Sequence, residues 1–239
     1  MSIGAASKDY EGIDYAEFWR GPANTHIDRL EQRIVKRLLT GGGAIAEIGS
    51  GFGRLGRCYR DRYSKVYMVE PAGNLREIAE VDFPNTSHVS ASVYDLPFDA
   101  ASLDALLMVR VMHHLTESHD ALVELHRVLR PGGVLLFSFS NKRNLGRVLK
   151  YAATWQSNPF SGDVERYGAA LWGHAPGYMD RLLRDVGFEV EGRVGIGLTG
   201  KLVAALPVLL PISQPPLFLA SLAGRLTLSP TQFLLVRKR

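Results

Sequence analysis

The residues in this chain best equipped for chemistry are two carboxylates and a run of glycines. Glu47, Gly49, Ser50, Gly51 and Gly53 fall in the stretch Glu47-Ile-Gly-Ser-Gly-Phe-Gly53, and Glu70 follows. Glycines at these points permit a tight turn and let backbone approach a ligand closely. The stretch follows the apolar run Ala44 to Ile48, which reads as a buried strand, and precedes Arg54 to Tyr63, which reads as a helix. Glu70 stands 21 positions after Gly49, at the end of a second strand, Lys65 to Val69. Adjacent parallel strands lie about 4.8 Å apart, so the loop and Glu70 would share one sheet edge. From there the two oxygens of Glu70 can accept from both hydroxyls of a ribose.

Gly51-Phe-Gly53-Arg-Leu-Gly56 also satisfies the dinucleotide spacing G-x-G-x-x-G, which makes a nicotinamide-dependent oxidoreductase the competing reading. Charge separates the two. A dinucleotide places an anionic pyrophosphate at the helix N-terminus, where the carboxylate of Glu47 has the wrong sign. S-adenosylmethionine has no pyrophosphate, and its amino and sulfonium groups are cationic, so a carboxylate at the strand tip supports it.

Further along, Arg110, His113 and His114 leave a fourth strand, Leu103 to Val109. Either imidazole can take a proton from a hydroxyl or amine, and Arg110 can hold an acidic acceptor or touch the cofactor. The bland reading is strong: one of these imidazoles can simply cap backbone groups. His174 and Tyr178 open a later helix and are weaker candidates, while His126 sits within a helix and reads as structural. No metal-ligating set is read from the sequence.

These groups need a frame, and the chain alternates strand and helix. A first helix is signalled by Asn24 or Thr25 as N-cap and by Ile27, Leu30, Ile34 and Leu38 at helical spacing, stopping at Gly41-Gly42-Gly43. After the first strand-helix-strand unit come a short helix over 73–81, a strand from His88 to Ser92, the fourth strand, a helix over 120–129, and a fifth strand from Val134 to Phe139 that Pro131-Gly132-Gly133 separates from it. The fourth strand is apolar enough to be covered on both faces, which favours a parallel sheet. Beyond residue 140 the pattern loosens to Gly173, then returns as a helix from Pro176 to Val186, a strand from Phe188 and a last strand from Gln232 to Val236. The expected organisation is a single domain: a helical N-terminal part to residue 43, a ligand-binding core over 44–140, and insertions at 141–173 and 198–228. The second insertion is strongly apolar, but Pro207, Pro211, Pro215 and Pro216 forbid an unbroken membrane-spanning helix of about 20 residues. Core packing, an acceptor pocket, a homodimer interface or a membrane surface would each cover it.

With 239 residues, 46% of them hydrophobic and 22% charged, the chain can bury a sizeable core and reads as globular throughout. Cys58 is the single cysteine, and the opening residues lack the basic-then-apolar order of a secretion signal, so a cytoplasmic location is expected. The net charge of +4 is mild and the arginines are scattered, which does not indicate a nucleic-acid partner.

Taken together, these motifs resemble those of the class I S-adenosylmethionine-dependent methyltransferases, particularly the ubiquinone-type and small-molecule enzymes, over roughly residues 40 to 140. The resemblance rests on Glu47 to Gly53, Glu70-Pro71, Asp95-Leu-Pro97-Phe, Leu103-Asp104, Val111-Met-His113-His114-Leu and Glu124-Leu-His-Arg127-Val-Leu-Arg-Pro131-Gly-Gly133. It implies an α/β, Rossmann-like, doubly wound sheet of seven strands in the order 3-2-1-4-5-7-6, with strand 7 antiparallel and helices on both faces. It also implies S-adenosylmethionine as cofactor, S-adenosylhomocysteine as product and a small-molecule acceptor. Cofactor contacts would come from the loop, Glu70, Pro71 and Arg110. The family commonly has an acidic residue and alanine after strand 3, where Ser92 and Val93 stand here; Ser92 can still accept a hydrogen bond from an adenine amino group, more weakly because it is neutral. Tyr10, Tyr15, Phe18 and Trp19 resemble an aromatic flap over the cofactor, or simply pack an N-terminal helix. Binding of the cofactor without turnover is a further alternative.

Overall fold

The computed structural model describes Glu17, Trp19 and residues 21–167, 171–197 and 227–239. Its main sheet has seven strands: β1 (Gly42–Ile48), β2 (Tyr63–Val69), β3 (Ser87–Val89), β4 (Leu103–Met108), β5 (Leu129–Ser140), β8 (Phe188–Ile196) and β9 (Thr231–Lys238). Their order is β3-β2-β1-β4-β5-β9-β8. Pairing from β3 through β5 is parallel, and β9 runs antiparallel to both β5 and β8. This is the Rossmann-like arrangement with an antiparallel last strand that the sequence motifs imply.

The central strands read as near-continuous apolar runs because helices cover both faces. Along β1, β4 and β5, Ala46, Ile48, Leu106, Met108, Leu135 and Phe137 pack on one side with Leu122 and Leu125 of α3 (Ser118–Val128) and Met179 and Leu183 of α5 (Pro176–Val186). The alternate residues Ile45, Ala105, Leu107 and Leu136 pack on the other side with Leu30, Ile34 and Val35 of α1 (Pro22–Leu38) and Ala79 of α2 (Gly73–Asp82). Period-two alternation thus divides the apolar residues between two cores.

Several motif residues serve this frame. Asp104 accepts from the Ala44 N–H at 2.6 Å and pairs with Arg130 at 2.7 Å, joining β1, β4 and β5 at the edge opposite the glycine loop. Glu124 accepts from the Leu96 N–H at 2.7 Å, while Arg127 donates to the carbonyls of Leu96 and Phe98 at 3.0 and 2.9 Å and pairs with Glu124. The segment Asp95-Leu-Pro-Phe is therefore held on α3 by a carboxylate and a guanidinium one helical turn apart.

Four local expectations need correction. Residues 54–63 form two 3-10 turns, Gly56–Cys58 and Arg60–Arg62, in place of a helix. Gly56 packs so tightly there that a Cβ would meet Met68 Cε at 2.5 Å and the Phe83 ring at 2.9 Å. The first helix is preceded by Gly21 and carries Pro22 in its first turn, with no side-chain cap; Thr25 donates instead to the Trp19 carbonyl. The third strand ends at Val89, and Ser92 bridges to Asp95. Pro131-Gly132-Gly133 lies within β5 as an irregularity between the pairs Leu103–Leu129 and Ala105–Val134.

Residues 141–173 are more regular than their sequence suggests. They hold α4 (Leu145–Thr154) and most of an antiparallel hairpin of β6 (Val164–Tyr167) and β7 (Leu171–His174). Buried Lys142 donates from Nζ to the carbonyls of Ser161 and Gly162 at 2.6 and 3.2 Å, which pins the turn before the hairpin. Most of the apolar insertion at 198–228 lies outside the described residues. Among those described, no helix is long and apolar enough to cross a membrane.

Candidate cofactor and acceptor site

Strands β1, β2, β4 and β5 end at one edge of the sheet, and the candidate residues leave from those ends. Gly49 and Ser50 donate their N–H groups to the Val69 carbonyl at 2.8 and 3.1 Å, which folds the loop after β1 across the tip of β2. Gly49, Gly51 and Gly53 have φ of 70°, 56° and 80°, the left-handed region that favours glycine. Their surroundings differ. A Cβ at Gly49 would meet Val111 Cγ2 at 2.3 Å, and one at Gly53 would meet the Phe83 ring at 2.5 Å, whereas at Gly51 nothing lies within 4 Å. Gly49 and Gly53 are packing glycines, and Gly51 leaves open space.

Glu70 borders that space. Its Oε2 accepts from the Gly51 N–H at 2.8 Å and its Oε1 from the Ala72 N–H at 2.9 Å, while Arg76 donates to its carbonyl. Burial raises its carboxyl above the ordinary range, and the two N–H groups oppose that shift. Glu47 is buried at the end of β1, where Tyr59 donates its hydroxyl to Oε2 at 2.6 Å. Burial raises Glu47 to about 7 against the pull of Tyr59 and Arg54, with Glu70 adding a smaller upward push. The buried Ser50 hydroxyl has no hydrogen-bond partner among the described residues.

Glu47, Gly49, Ser50, Gly51, Phe52, Arg54, Leu55, Val109 and Arg110 line one cleft. Its far wall is cationic and sits on α1. Arg110 and Arg54 both pair with buried Glu31, at 2.7 and 2.6 Å, and Arg54 also pairs with Asp28. The Trp19 ring lies against both guanidiniums, 3.9 Å from Arg54 and 4.9 Å from Arg110. Arg110 has φ of 61°, an unusual backbone for a side-chain-bearing residue, and is held by its N–H donating to Ser138 Oγ at 2.9 Å.

His113 and His114 follow in a 3-10 turn, Met112–His114, with ring centroids 4.2 Å apart. Burial first, then the neighbouring His114, Arg110 and His174, lowers His113 to about 3. It is a neutral imidazole at ordinary pH and a poor proton acceptor. His174 is buried at the end of β7, where Nε2 lies 3.0 Å from Ser118 Oγ and the ring stacks with Tyr178 at 6.3 Å. Burial lowers it to about 4.

The sequence-chosen residues Glu47, Gly49, Ser50, Gly51 and Arg110 therefore meet in one cleft, with Glu70 bonded to its loop and Trp19 against its arginines. Pro71 follows Glu70 directly, and Gly53 shapes the turn from below. Ser92 accepts from the Tyr94 N–H at 3.3 Å, and Val93 packs into the core with Leu96; neither lines the cleft. Tyr10, Tyr15 and Phe18 lie outside the described residues. His126 packs edge-on against Phe188 at 5.1 Å, a structural role. Sequence reasoning missed Glu31 and Tyr59. Glu31 had a signal, since a charged residue four after Ile27 and three before Ile34 interrupts the apolar stripe of α1.

Residues 46–137 match the methyltransferase domain family. Over that stretch the chain is similar to a methyltransferase domain. It is 28% identical over 122 residues to the ubiquinone/menaquinone biosynthesis C-methyltransferase of Campylobacter jejuni, covering 48% of this chain and 52% of that protein. The chain thus spans about half the length of that relative. Its fold is shared by a Thermotoga maritima methyltransferase described as a possible histamine N-methyltransferase, at TM-score 0.65 and 19% identity over 96% of this chain and 97% of that one. The magnesium protoporphyrin IX methyltransferase of Synechocystis, solved with bound S-adenosylhomocysteine, has TM-score 0.63 and 13% identity over 98% of each chain. The matched stretch takes in the glycine loop, Glu70, the Glu124–Arg127 clamp and the histidine turn.

Proposed function

We propose that this chain binds S-adenosylmethionine in the cleft at Glu47 and transfers its methyl group to a small, apolar acceptor. The observation that carries the reading is the open space over Gly51 between two buried carboxylates. Glu70 lies at the loop's edge with lone pairs left for a ribose diol, and Glu47 offers a negative group to a cationic amino group. The buried Ser50 hydroxyl, unpartnered among the described residues, is the kind of orphan that a ligand satisfies. Arg110 supplies a cation on the opposite wall, where the cofactor's own carboxylate can pair with it. These features fit the cofactor. When bound it supplies an activated methyl on a sulfonium.

The protein's task is then alignment. Holding two reactants in line is worth roughly 7–11 kcal/mol, against about 3–5 kcal/mol for general-base help. His113, neutral and half-buried, suits hydrogen bonding to an acceptor better than taking its proton. His114, on the same turn, remains the candidate base for an acceptor that must lose one. The apolar composition of 198–228 supports an apolar acceptor, and the buried free Cys58 suits a cytoplasmic location.

Titration calorimetry with S-adenosylhomocysteine, S-adenosylmethionine and NADH tests the reading. The two sulfur ligands should bind, and Glu70→Gln should weaken them about tenfold or more, since hydrogen bonds to a charged group contribute roughly 1.5–3 kcal/mol each. Binding of NADH alone would replace the methyltransferase with an oxidoreductase. Tight cofactor binding with no turnover across an acceptor panel would leave a binding domain.

A further inference from the structure

Helix α4 leaves most of its apolar face exposed. Its sequence, Leu-Gly-Arg-Val-Leu-Lys-Tyr-Ala-Ala-Thr, places Leu145, Val148, Leu149, Ala152 and Ala153 on one contiguous arc of about 140° at 100° per residue. The half-buried side chains are Arg147, Val148 and Tyr151. Arg147 pairs with Glu165 at 2.5 Å and stacks 4.6 Å from the Tyr167 ring, and Tyr151 packs against Trp155 and Phe160. Leu145, Leu149, Ala152 and Ala153 are exposed, and no residue of the helix is buried. An amphipathic helix on a globular surface normally does the opposite.

The neighbourhood extends the pattern. Among the described residues, six of eleven exposed large apolar side chains fall between 145 and 171: Leu145, Leu149, Trp155, Phe160, Val164 and Leu171. Trp155 is 80% exposed, Leu149 59% and Phe160 54%. Charge accompanies them. Residues 141–174 hold Lys142, Arg143, Arg147, Lys150 and Arg166 against Asp163 and Glu165, a net charge of +3 with His174 neutral; Lys142 is buried and Arg143 and Arg147 pair with the two acids, so the exposed cations are Lys150 and Arg166. Helix α4 has no acidic residue, Lys150 stands exposed on it, and Asp163, just before the hairpin, and Glu165 within it are already paired with arginines.

We propose that α4, with Trp155 and Phe160, is a docking surface for an anionic lipid bilayer. An exposed apolar arc flanked by cations and carrying aromatic residues suits the headgroup boundary, where Trp and Tyr rings sit and Lys and Arg reach lipid phosphates. A protein partner fits less well. A ten-residue helix is only about 15 Å long, too short to supply by itself the roughly 800 Å² per partner of a stable dimer. The surface leaves β5 through Asn141 and Lys142, beside His174 and on the same sheet edge as the histidine turn. Docking would bring that edge to the bilayer, and it goes beyond the proposed methyl transfer without depending on it.

Flotation of the full chain with phosphatidylcholine vesicles, and with vesicles that also contain phosphatidylglycerol, provides the test. The chain should bind the anionic vesicles preferentially and release as salt rises. Leu149→Glu combined with Trp155→Ala should reduce binding roughly tenfold, and Lys150→Glu alone roughly fivefold on anionic vesicles only. None of these should alter S-adenosylhomocysteine binding by calorimetry, which separates this proposal from the functional one. Vesicle binding that ignores all three substitutions would place membrane contact elsewhere and overturn the proposal. So would a dimer that Leu149→Glu dissociates without any vesicle binding, which assigns the face to a second copy. A loss of thermal stability in Leu149→Glu without vesicle binding would overturn it too, assigning the face to residues 198–226 of this chain.

Discussion

At the scale of single residues, Glu47 carries the most information. Burial raises its carboxyl from 4.5 to about 7, so the folded chain holds this proton more tightly than the unfolded one. The stability it contributes is complete below about pH 4.5 and is lost as pH rises toward 7, because the charged form is then forced into a buried site. A shift of this size corresponds to at most about 3 kcal/mol. Glu47→Gln keeps an acceptor for the Tyr59 hydroxyl and removes the charge. The variant should melt several degrees higher than wild type near pH 8 and close to it near pH 4, while binding S-adenosylmethionine less tightly. Melting curves at the two pH values with calorimetry check both halves, and an unchanged affinity would remove Glu47 from the cation's surroundings. Its place at a strand tip was legible from sequence. Its proton affinity was not, since that depends on Tyr59, Arg54 and Glu70 converging from separate segments.

At the scale of elements, the glycine loop shows why a motif underdetermines its own roles. Three glycines share the left-handed backbone, yet only Gly51 faces open space. Gly51→Ala should cost about 1 kcal/mol of stability from backbone strain and weaken S-adenosylhomocysteine binding tenfold or more, because the new methyl group enters the ligand's space. Gly53→Ala should instead destabilise the fold, since its Cβ has no room beside Phe83. If both variants melt alike and bind alike, the loop is a structural turn and not a cradle. Strands and helices flanking the loop were readable because apolar runs and periodicity are local; α5 matches its expected bounds, Pro176 to Val186. The helix expected over 54–63 failed because Gly56 must pass close under Met68 and Phe83, a constraint set by residues distant in sequence. Helix α4 and its hairpin were hidden for a related reason: the α4 apolar arc faces outward, so its residues do not complete a local core pattern.

At the scale of the whole molecule, the alternation of strand and helix made a parallel α/β sheet legible and the resemblance carried by the motifs from 47 to 133 implied its seven-strand order, whereas the tie between α1 and the cleft was not legible. That tie is one carboxylate. Glu31 is fully buried and serves two guanidiniums, Arg54 from the glycine loop and Arg110 from the end of β4, with Trp19 lying against both. Asp28 can compensate only Arg54. Removing one member of a buried ionic cluster leaves the rest uncompensated, at a cost of roughly 3–5 kcal/mol. Glu31→Gln should therefore lower the melting temperature by about 10 °C and release α1 first, seen as faster proteolysis before Pro22 while the sheet persists. Because Arg110 also lines the cleft, the freed guanidinium becomes available to a ligand carboxylate. S-adenosylhomocysteine should then stabilise Glu31→Gln by more than it stabilises wild type, under the mass-action rule that any ligand specific to the folded state raises its stability. An equal or smaller ligand-induced shift in the variant would show that Glu31 and the ligand do not compete for Arg110, and that the cluster serves only to seat the first helix.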